Sequence, residues 1–185
     1  MTGMELKILD WIQTIHTPIV DAFMCFITSL GNVGVIWIVL AVVLIAIPKT
    51  RKSGIIVAAA LIIDAVFCSG ILKNVFRRIR PFDVNTVVQV LITKPRDFSF
   101  PSGHTSASFA AATALYLAKE RKLFIPTLVL ACLIAFSRMY LYVHYPTDII
   151  GGLLIGIASA VIVYKCQENQ KFLALFHLNK YNTNQ

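Results

Sequence analysis

The longest apolar stretch of the chain, residues 54–72, reads GIIVAAALIIDAVFCSGIL. Asp64 is its only charged side chain. A helix that crosses a bilayer needs about 20 predominantly apolar residues, and this stretch comes close to that length with a single interruption. Lys73 and a group of arginines follow it directly. The stretch therefore predicts a membrane-spanning helix whose C-terminal end meets a strongly basic region.

Five further apolar segments lie on either side of this stretch. They cover residues 19–30, 33–47, 105–118, 123–137 and 149–164. Several are shorter than the range of about 17–25 residues that spanning helices use, so their helices are expected to extend into flanking polar residues. Gly31, Asn32 and Gly34 suit a tight turn between the first two segments. The sequence predicts an all-α integral membrane bundle of six transmembrane helices, which forms a single domain over residues 1–185.

The two ends of the chain are more polar than these segments. Residues 1–17 are predicted to form a short amphipathic helix at the membrane interface. Its apolar side chains near one face are Leu6, Leu9, Trp11 and Ile12. Glu5 and Asp10 interrupt any cleavable signal pattern, so membrane insertion is expected from the internal segments. Residues 167–185 are predicted to form a peripheral polar tail.

Composition supports a membrane protein and argues against other classes. The chain is 57% hydrophobic and 14% charged, whereas a soluble domain is roughly 45–50% apolar and about 25% charged. These values exclude a soluble globular protein, a disordered tail and a fibrous repeat. Cys25, Cys68, Cys132 and Cys166 lack the C-x-x-C spacing of a metal site and are interpreted as small apolar residues. The feature that composition does not explain is a net charge of +8, from 17 Lys and Arg against 9 Asp and Glu.

Most of the basic residues follow the positive-inside rule, by which cytoplasmic loops of membrane proteins are rich in Lys and Arg. Nine of them lie in the second-to-third connection, in the fourth-to-fifth connection and after the sixth segment: Lys49, Arg51, Lys52, Lys119, Arg121, Lys122, Lys165, Lys171 and Lys180. With six spans, the rule predicts that these groups and the N-terminus are cytoplasmic. The other three connections then face outward.

One outward connection contradicts the rule. Six basic residues lie within residues 73–101: Lys73, Arg77, Arg78, Arg80, Lys94 and Arg96. Only Asp83 and Asp97 balance them, and Arg138 is predicted on the same side. The inverted topology is less favourable, because it would place the nine residues above outside. An anionic ligand is the simplest reason for so many cations in a translocated loop.

Three short clusters lie at the predicted outward ends of segments three to six. The first is Lys73-x6-Arg80-Pro81, the second is Pro101-Ser102-Gly103-His104, and the third is Ser137-Arg138-x5-His144-x3-Asp148. Together they resemble, position for position, the three-part signature of the type 2 phosphatidic acid phosphatase superfamily. The chain is similar to the small bacterial members of its membrane lipid phosphatase branch. The resemblance covers residues 73–148 by motif.

The residue types also suit phosphate binding on physical grounds. Lys73, Arg80 and Arg138 could converge on one phosphate, where arginine makes bidentate contacts and lysine supplies a point charge. Ser102 and Gly103 open the fourth segment, and the free N–H groups at a helix N-terminus bind phosphate readily. Ser102 adds a hydroxyl donor, and Gly103 permits a close approach of the backbone. These five residues are the predicted phosphate ligands.

Two histidines and a carboxylate complete the predicted site. His144 and Asp148 are four residues apart, so on a helical turn they share a face and the carboxylate can orient the imidazole. The resemblance implies that His144 is the nucleophile that forms a phosphohistidine. It also implies that Asp148 orients His144, and that His104 acts first as general acid and then as general base. Members of this type use no metal or other cofactor, and none is expected here.

Several polar residues outside the signature have no assigned role. Arg77, Arg78, Lys94 and Arg96 are expected to contact lipid headgroups. Asp64 is a functional candidate because it is an intramembrane carboxylate, and neither it nor Asp21 can be placed in the site. His16 and His177 are expected at the surface. Gly151, Gly152 and Gly156 are expected to allow close helix packing.

The resulting hypothesis is a multi-pass cell-membrane phosphatase with its site on the extracytoplasmic face. Its partners would be the bilayer and a lipid phosphate or pyrophosphate, such as phosphatidylglycerophosphate, phosphatidic acid or undecaprenyl pyrophosphate. The signature does not distinguish these substrates, and the sequence does not give the oligomeric state. Neither nucleic acid nor an obligate protein partner is expected. The alternatives are a vanadate-dependent haloperoxidase, which the apolar segments disfavour, and a transporter or non-catalytic phospholipid-binding protein.

Overall fold

The fold is described by a computed structural model, which covers residues 2–182 and the side chains of residues 2–169. Its helices are α1 (Thr2–Gln13), α2 (Pro18–Leu30), α3 (Val35–Ala46), α4 (Arg51–Asp64), α5 (Lys73–Phe76), α6 (Pro81–Val84), α7 (Gly103–Leu117), α8 (Arg121–Tyr140) and α9 (Pro146–Asn182). A 3-10 turn (Asn32–Gly34) joins α2 to α3, and a π-helical segment (Ala65–Leu72) joins α4 to α5. No strand occurs within the described residues, so the all-α prediction is confirmed.

Helix α7 lies at the centre of the bundle, where it packs against α4, α8 and α9. Its alanines Ala110, Ala111 and Ala114 are fully buried, which lets neighbouring backbones come close. Helix α9 meets it with glycines. A Cβ on Gly152 would lie 2.6 Å from the carbonyl oxygen of Ser102, and one on Gly156 would overlap the carbonyl oxygen of Ser106. The expectation of close helix packing at these glycines is confirmed.

Three helical stretches are long and apolar enough to cross a membrane, namely Arg51–Val84, Arg121–Tyr140 and Pro146–Asn169. A fourth is obtained if α2 and α3 count together as one bent span. The predicted count of six spans is therefore not confirmed. Helices α2, α3 and α7 contain only 13, 12 and 15 residues, each below the minimum of about 17 for a span. The apolar helices nevertheless agree with a multi-pass membrane protein.

The break between α2 and α3 differs from the predicted tight turn. Val33 and Gly34 adopt positive φ angles of 53° and 67°, and the chain bends there by 44°. Helix α2 packs against α8, whereas α3 packs against α4. The two segments thus form one bent path along the bundle.

The N-terminal helix α1 lies at a different end of the bundle from the one predicted with six spans. Leu9 and Ile12 of α1 are buried in a cluster with Tyr140 and Tyr142, and the Tyr142 hydroxyl donates to Asp10 at 2.6 Å. Of the predicted apolar face, Leu9 and Ile12 are buried but Trp11 is 69% exposed. Helix α1 lies at the end of the bundle where α8 connects to α9. The prediction that the N-terminus lies at the opposite end from this connection is wrong, because α1 packs against Tyr140 and Tyr142 there. Counting α2 and α3 as one bent span agrees with this position. The predicted tail, residues 167–185, begins within α9; its residues 183–185 and the side chains of 170–182, including His177, lie outside the described part.

The contact between α7 and α9 can be tested by adding one methyl group. Gly156→Ala is expected to destabilise the protein by about 1–3 kcal/mol, the usual cost of overpacking, because the new Cβ would overlap the α7 backbone. Gly70→Ala is the matched control, since its Cβ would meet no atom closer than 3.8 Å. Thermal unfolding in detergent would measure both. Equal melting temperatures for the two variants would contradict this account of the α7–α9 contact.

Candidate active site

The three signature segments meet around one cavity of about 690 Å³. Six of the eight predicted site residues line it: Lys73, Arg80, Gly103, His104, Arg138 and His144. The segments are also joined directly, because the backbone N–H of Ser102 donates to the carbonyl oxygen of Asp148 at 3.1 Å. Residues that are up to 75 positions apart in sequence (Lys73 to Asp148) thus form one site.

Two of the cations are buried and share one carboxylate. Lys73 and Arg80 are only 5% and 3% exposed, and burying a charge is costly unless it is paired. Asp97 supplies the pair, with Oδ2 2.5 Å from Lys73 Nζ and Oδ1 2.6 Å from Arg80 Nη2. Burial alone would raise the pKa of Asp97, but the hydrogen bonds and charges of Lys73 and Arg80 hold it at about 2. Asp97 is therefore an anion that already lies between two predicted phosphate ligands.

The third cation, Arg138, is 2% exposed. Its Nη1 donates to Thr28 Oγ1 of α2 at 2.6 Å. Its Nε is a buried donor that has no hydrogen-bond partner among the described residues. An unpaired buried donor costs free energy, and an anion bound in the cavity would offer Arg138 the acceptor it lacks.

His144 lies between Arg80 and Asp148. Arg80 Nη1 is 3.2 Å from Nε2 of His144, and Asp148 Oδ2 is 3.4 Å from Nδ1. The second distance is long for a hydrogen bond, and Nδ1 makes none among the described residues. Burial, together with the charges of Arg80 and Arg138, lowers the pKa of His144 well below its usual value. The imidazole is therefore neutral near pH 7, as a nucleophile must be.

Asp148 is fully buried and held from three directions. Its Oδ2 accepts from Ser99 Oγ at 2.5 Å and from the backbone N–H of Tyr145 at 2.9 Å. Its Oδ1 accepts from Arg78 Nη1 at 2.6 Å. The bond to Tyr145 is that of a capping box, in which the third helical residue reaches back to the residue before the helix. The start of α9 therefore places the carboxylate beside His144. That Asp148 orients the imidazole stays a prediction, since Nδ1, at 3.4 Å, makes no hydrogen bond within the described part of the chain.

The start of α7 positions His104. Ser102 is the N-cap residue, and its hydroxyl accepts from the backbone N–H of Thr105 at 3.4 Å. Gly103 and His104 follow it and line the cavity, and the first N–H groups of a helix have no intrahelical partner. Ser102 is fully buried and lies outside the cavity lining, with its hydroxyl 2.9 Å from that of Thr105. Its role as a phosphate donor stays a prediction.

Residues at the α2–α3 break support His104, and the sequence did not indicate this. Asn32 Oδ1 is 3.1 Å from His104 Nε2. A Cβ on Gly31 would lie 2.8 Å from Cδ2 of the same ring, so glycine is required for the close approach. The sequence pointed to these residues only as turn formers, since nothing local connects them to a histidine that lies 72 positions away.

The polar residues outside the signature have different surroundings. Asp64 lines the cavity and accepts a hydrogen bond from Ser106. Asp21 instead joins α2 to α8, since it accepts from the Tyr140 hydroxyl at 2.5 Å. It also pairs with Nδ1 of His16 at 2.9 Å. His16 stacks on Tyr140 with ring centroids 4.1 Å apart, so it belongs to this contact rather than to an open surface.

The four cations expected to contact headgroups do not behave alike. Arg77 is exposed, and its Nε donates only to Asn74 within its own turn. Lys94 lies 5.3 Å from the centre of the Phe82 ring. Arg78 pairs with Asp148 and with Glu5, so the headgroup prediction is wrong for this residue. For Arg77, Lys94 and Arg96 it stays a prediction.

Comparison with known proteins agrees with this geometry. The family model described as the PAP2 superfamily matches residues 53–172, a range that contains all three signature segments. The chain belongs to the PAP2 superfamily. The membership predicted from the three segments is thus confirmed, and the protein is a phosphatase, a hydrolase that acts on phosphate esters.

Relatives in this superfamily match along most of the chain. An undecaprenyl-diphosphatase of Sulfolobus acidocaldarius is 30% identical over 154 residues, which cover 83% of this chain and 74% of that protein. The undecaprenyl-diphosphatase BcrC of Bacillus subtilis is 32% identical over 154 residues, which cover 81% of this chain and 76% of that protein. The crystal structure of a transmembrane PAP2-type phosphatidylglycerolphosphate phosphatase from Bacillus subtilis gives a TM-score of 0.73 at 27% identity, and the match covers 90% of this chain and 86% of that one.

Asp97 is expected to compete with a bound anion for Lys73 and Arg80, because it pairs with both. In Asp97→Asn, Lys73 and Arg80 lose their shared counter-charge, so inorganic phosphate should bind several-fold more tightly. A ligand that binds only the folded state stabilises it by RT ln(1 + c/Kd), where c is the free ligand concentration, so at one phosphate concentration tighter binding gives a larger rise in melting temperature. Phosphate should therefore raise the melting temperature of Asp97→Asn more than that of the wild type.

The control for this measurement is Asp83→Asn, which removes a carboxylate from the same connection but from neither cation pair. Its response to phosphate should match that of the wild type. A phosphate response in Asp97→Asn that is equal to or smaller than the wild-type response would contradict the competition.

Proposed function

We propose that this protein hydrolyses a lipid phosphate or pyrophosphate at the extracytoplasmic membrane surface through a phosphohistidine on His144, without a metal ion. The observation that carries this proposal is the cavity itself, where three buried cations and two histidines face the same space. Phosphoryl transfer depends mainly on positioning and on neutralising negative charge. Lys73, Arg80 and Arg138 supply that charge in this site.

In the first step, the cations hold the phosphate oxygens while Nε2 of His144 attacks phosphorus. Nε2 is the attacking atom because Nδ1 is turned towards Asp148. As the N–P bond forms, the bond from phosphorus to the leaving oxygen breaks, and His104 donates a proton to that oxygen. Asp148 stabilises the positive charge that develops on the His144 ring.

In the second step, water replaces the lipid product. His104, now neutral, takes a proton from the water as its oxygen attacks the phosphohistidine. The N–P bond breaks, inorganic phosphate leaves and His144 returns to its neutral form. The two steps together consume one water molecule and regenerate both histidines.

A lipid substrate is supported by the rest of the cavity lining. Beyond the cations, the cavity has an apolar extension of its lining, formed by Ile38 of α3, Leu61 of α4 and Ala65 just after α4. Such an apolar extension suits the first part of a prenyl or acyl chain while the phosphate lies among the cations. Because two relatives are undecaprenyl-diphosphatases, undecaprenyl pyrophosphate is the first candidate substrate, followed by phosphatidylglycerophosphate and phosphatidic acid.

The charge distribution supports the extracytoplasmic face. Helix α7 begins at the site and ends at Leu117, so Lys119, Arg121 and Lys122 lie at the opposite end of the bundle. Lys49, in the connection from α3 to α4, and Arg51, at the start of α4, lie at that end as well, since Ser53 donates to Glu120 at 2.7 Å. The positive-inside rule places such a basic end in the cytoplasm, and the site then faces outward.

Phosphate release from purified protein tests the proposed activity. In detergent and EDTA, the wild type is expected to release phosphate from at least one of the three candidate lipids, whereas His144→Ala should release none above background. Arg77→Ala serves as the control and should reduce turnover only modestly, since this residue is exposed and outside the signature. The proposal would fail if the wild type released phosphate from none of these lipids, or if His144→Ala and Arg77→Ala had equal effects.

A further inference from the structure

Arg78 is the basic residue whose contacts differ most from expectation. It lies within the first signature segment but outside the signature itself. Its Nη1 is 2.6 Å from Asp148 Oδ1 and 2.6 Å from Thr147 Oγ1, and its Nη2 is 2.6 Å from Glu5 Oε2. The guanidinium also lies over the Tyr145 ring, 3.9 Å from its centroid. All these contacts involve either the start of α9 or the N-terminal helix α1.

Glu5 pairs with Nη2 of Arg78, the guanidinium nitrogen that does not contact Asp148. It is only 7% exposed, although it belongs to a short helix at the end of the chain. Its Oε1 accepts from the backbone N–H and the hydroxyl of Thr147 at 3.2 and 2.5 Å. Glu5 therefore satisfies a free N–H at the start of α9 while its other oxygen holds Arg78.

We propose that Arg78 and Glu5 are a positioning pair for Asp148, so that helix α1 is a part of the catalytic unit. The proposal deepens the phosphohistidine mechanism proposed above and rests on it. Arg78 occupies Oδ1 of Asp148, which leaves Oδ2 as the oxygen that lies next to Nδ1 of His144. Glu5 fixes the second nitrogen of the guanidinium, so the Arg78 side chain cannot turn away from Asp148 without breaking an ion pair.

Arg78 and Glu5 also affect how strongly the negative charge of Asp148 stabilises a protonated His144. The charged and titratable groups around His144 are Lys73, Arg80, His104 and Arg138, together with Asp148 at 3.4 Å from Nδ1. Arg78 offsets the negative charge of Asp148, and Glu5 in turn offsets the positive charge of Arg78. Removing Arg78 should strengthen the pull of Asp148 on a protonated His144, and removing the charge of Glu5 should weaken it. The two changes thus act on the proton affinity of His144 in opposite directions.

These opposite effects distinguish a positioning role from a purely structural one, because a structural role would not displace the two pH profiles in opposite directions. Arg78→Gln is expected to lower kcat by about ten- to hundred-fold, the usual cost of losing a group that orients a reacting side chain. The acidic limb of its pH profile of kcat/KM should move to higher pH, since His144 must be neutral to attack. Glu5→Gln should lower kcat less and move the limb to lower pH, each displacement being on the order of 0.5–1 pH unit. KM should change by no more than about two-fold in either variant, because neither residue lines the cavity.

Two further variants complete the design. Arg77→Gln is the matched control, since it removes the neighbouring charge, and it should lower kcat no more than modestly and leave the pH profile as in the wild type. Arg78→Lys should recover part of the activity, because an ammonium can reach Asp148 but cannot bridge to Glu5 as a guanidinium does. If Arg78→Gln does not fold, Glu5→Gln and Arg78→Lys carry the same test.

The proposal would be overturned if Arg78→Gln kept wild-type kcat. It would also be overturned if both variants displaced the acidic limb in the same direction, or if neither did while thermal stability fell. These outcomes require an active wild type, so they are distinct from failure of the proposed function, in which the wild type itself releases no phosphate from any of the lipids.

Discussion

The structure depends on the burial of three cations at one end of a predominantly apolar helix bundle. A buried charge is costly unless it is paired and hydrogen-bonded. Lys73 and Arg80 share a carboxylate, whereas Arg138 finds only a hydroxyl among the described residues. Asp97 lies between Lys73 and Arg80, while Thr28 of α2 holds Arg138. These pairings place the connection between α6 and α7, and the end of α2, around a single cavity. The buried Nε of Arg138 is left for a ligand.

Close packing of the starts of α7 and α9 then brings the proposed catalytic residues together at this positive cavity. Glycines on α9 allow it to approach α7 to contact distance. The start of α7 presents His104, and the start of α9 presents Asp148 towards His144. The hydrogen bond from the Ser102 backbone to Asp148 joins the two starts. The two helix starts thereby place the proposed acid, His104, at the same cavity as His144, and the proposed orienting carboxylate, Asp148, beside His144.

Much of this site could be predicted from the sequence because its elements are local patterns. The four-residue spacing of His144 and Asp148 and the helix start at Ser102 and Gly103 each specify a short piece of backbone. The assembly of six of the eight predicted residues around one cavity follows from these pieces. Hydropathy, in contrast, cannot distinguish two short spans from one bent passage, so the positions of α2, α3 and α1 were not predicted. The roles of Asn32, Asp97, Arg78 and Glu5 were also missed, since each depends on a contact between residues far apart in sequence that leaves no local signal.

In the proposed mechanism, the phosphate is transferred to His144 before it reaches water. Rapid acid-free quenching of the wild type with radiolabelled lipid substrate, followed by peptide mapping, tests this most directly. An alkali-stable, acid-labile label is expected on the peptide that contains His144. No label is expected on the protein when His144 is replaced by alanine. Phosphate release from an active wild type without any labelled enzyme at the shortest times, or a label on another residue, would contradict it.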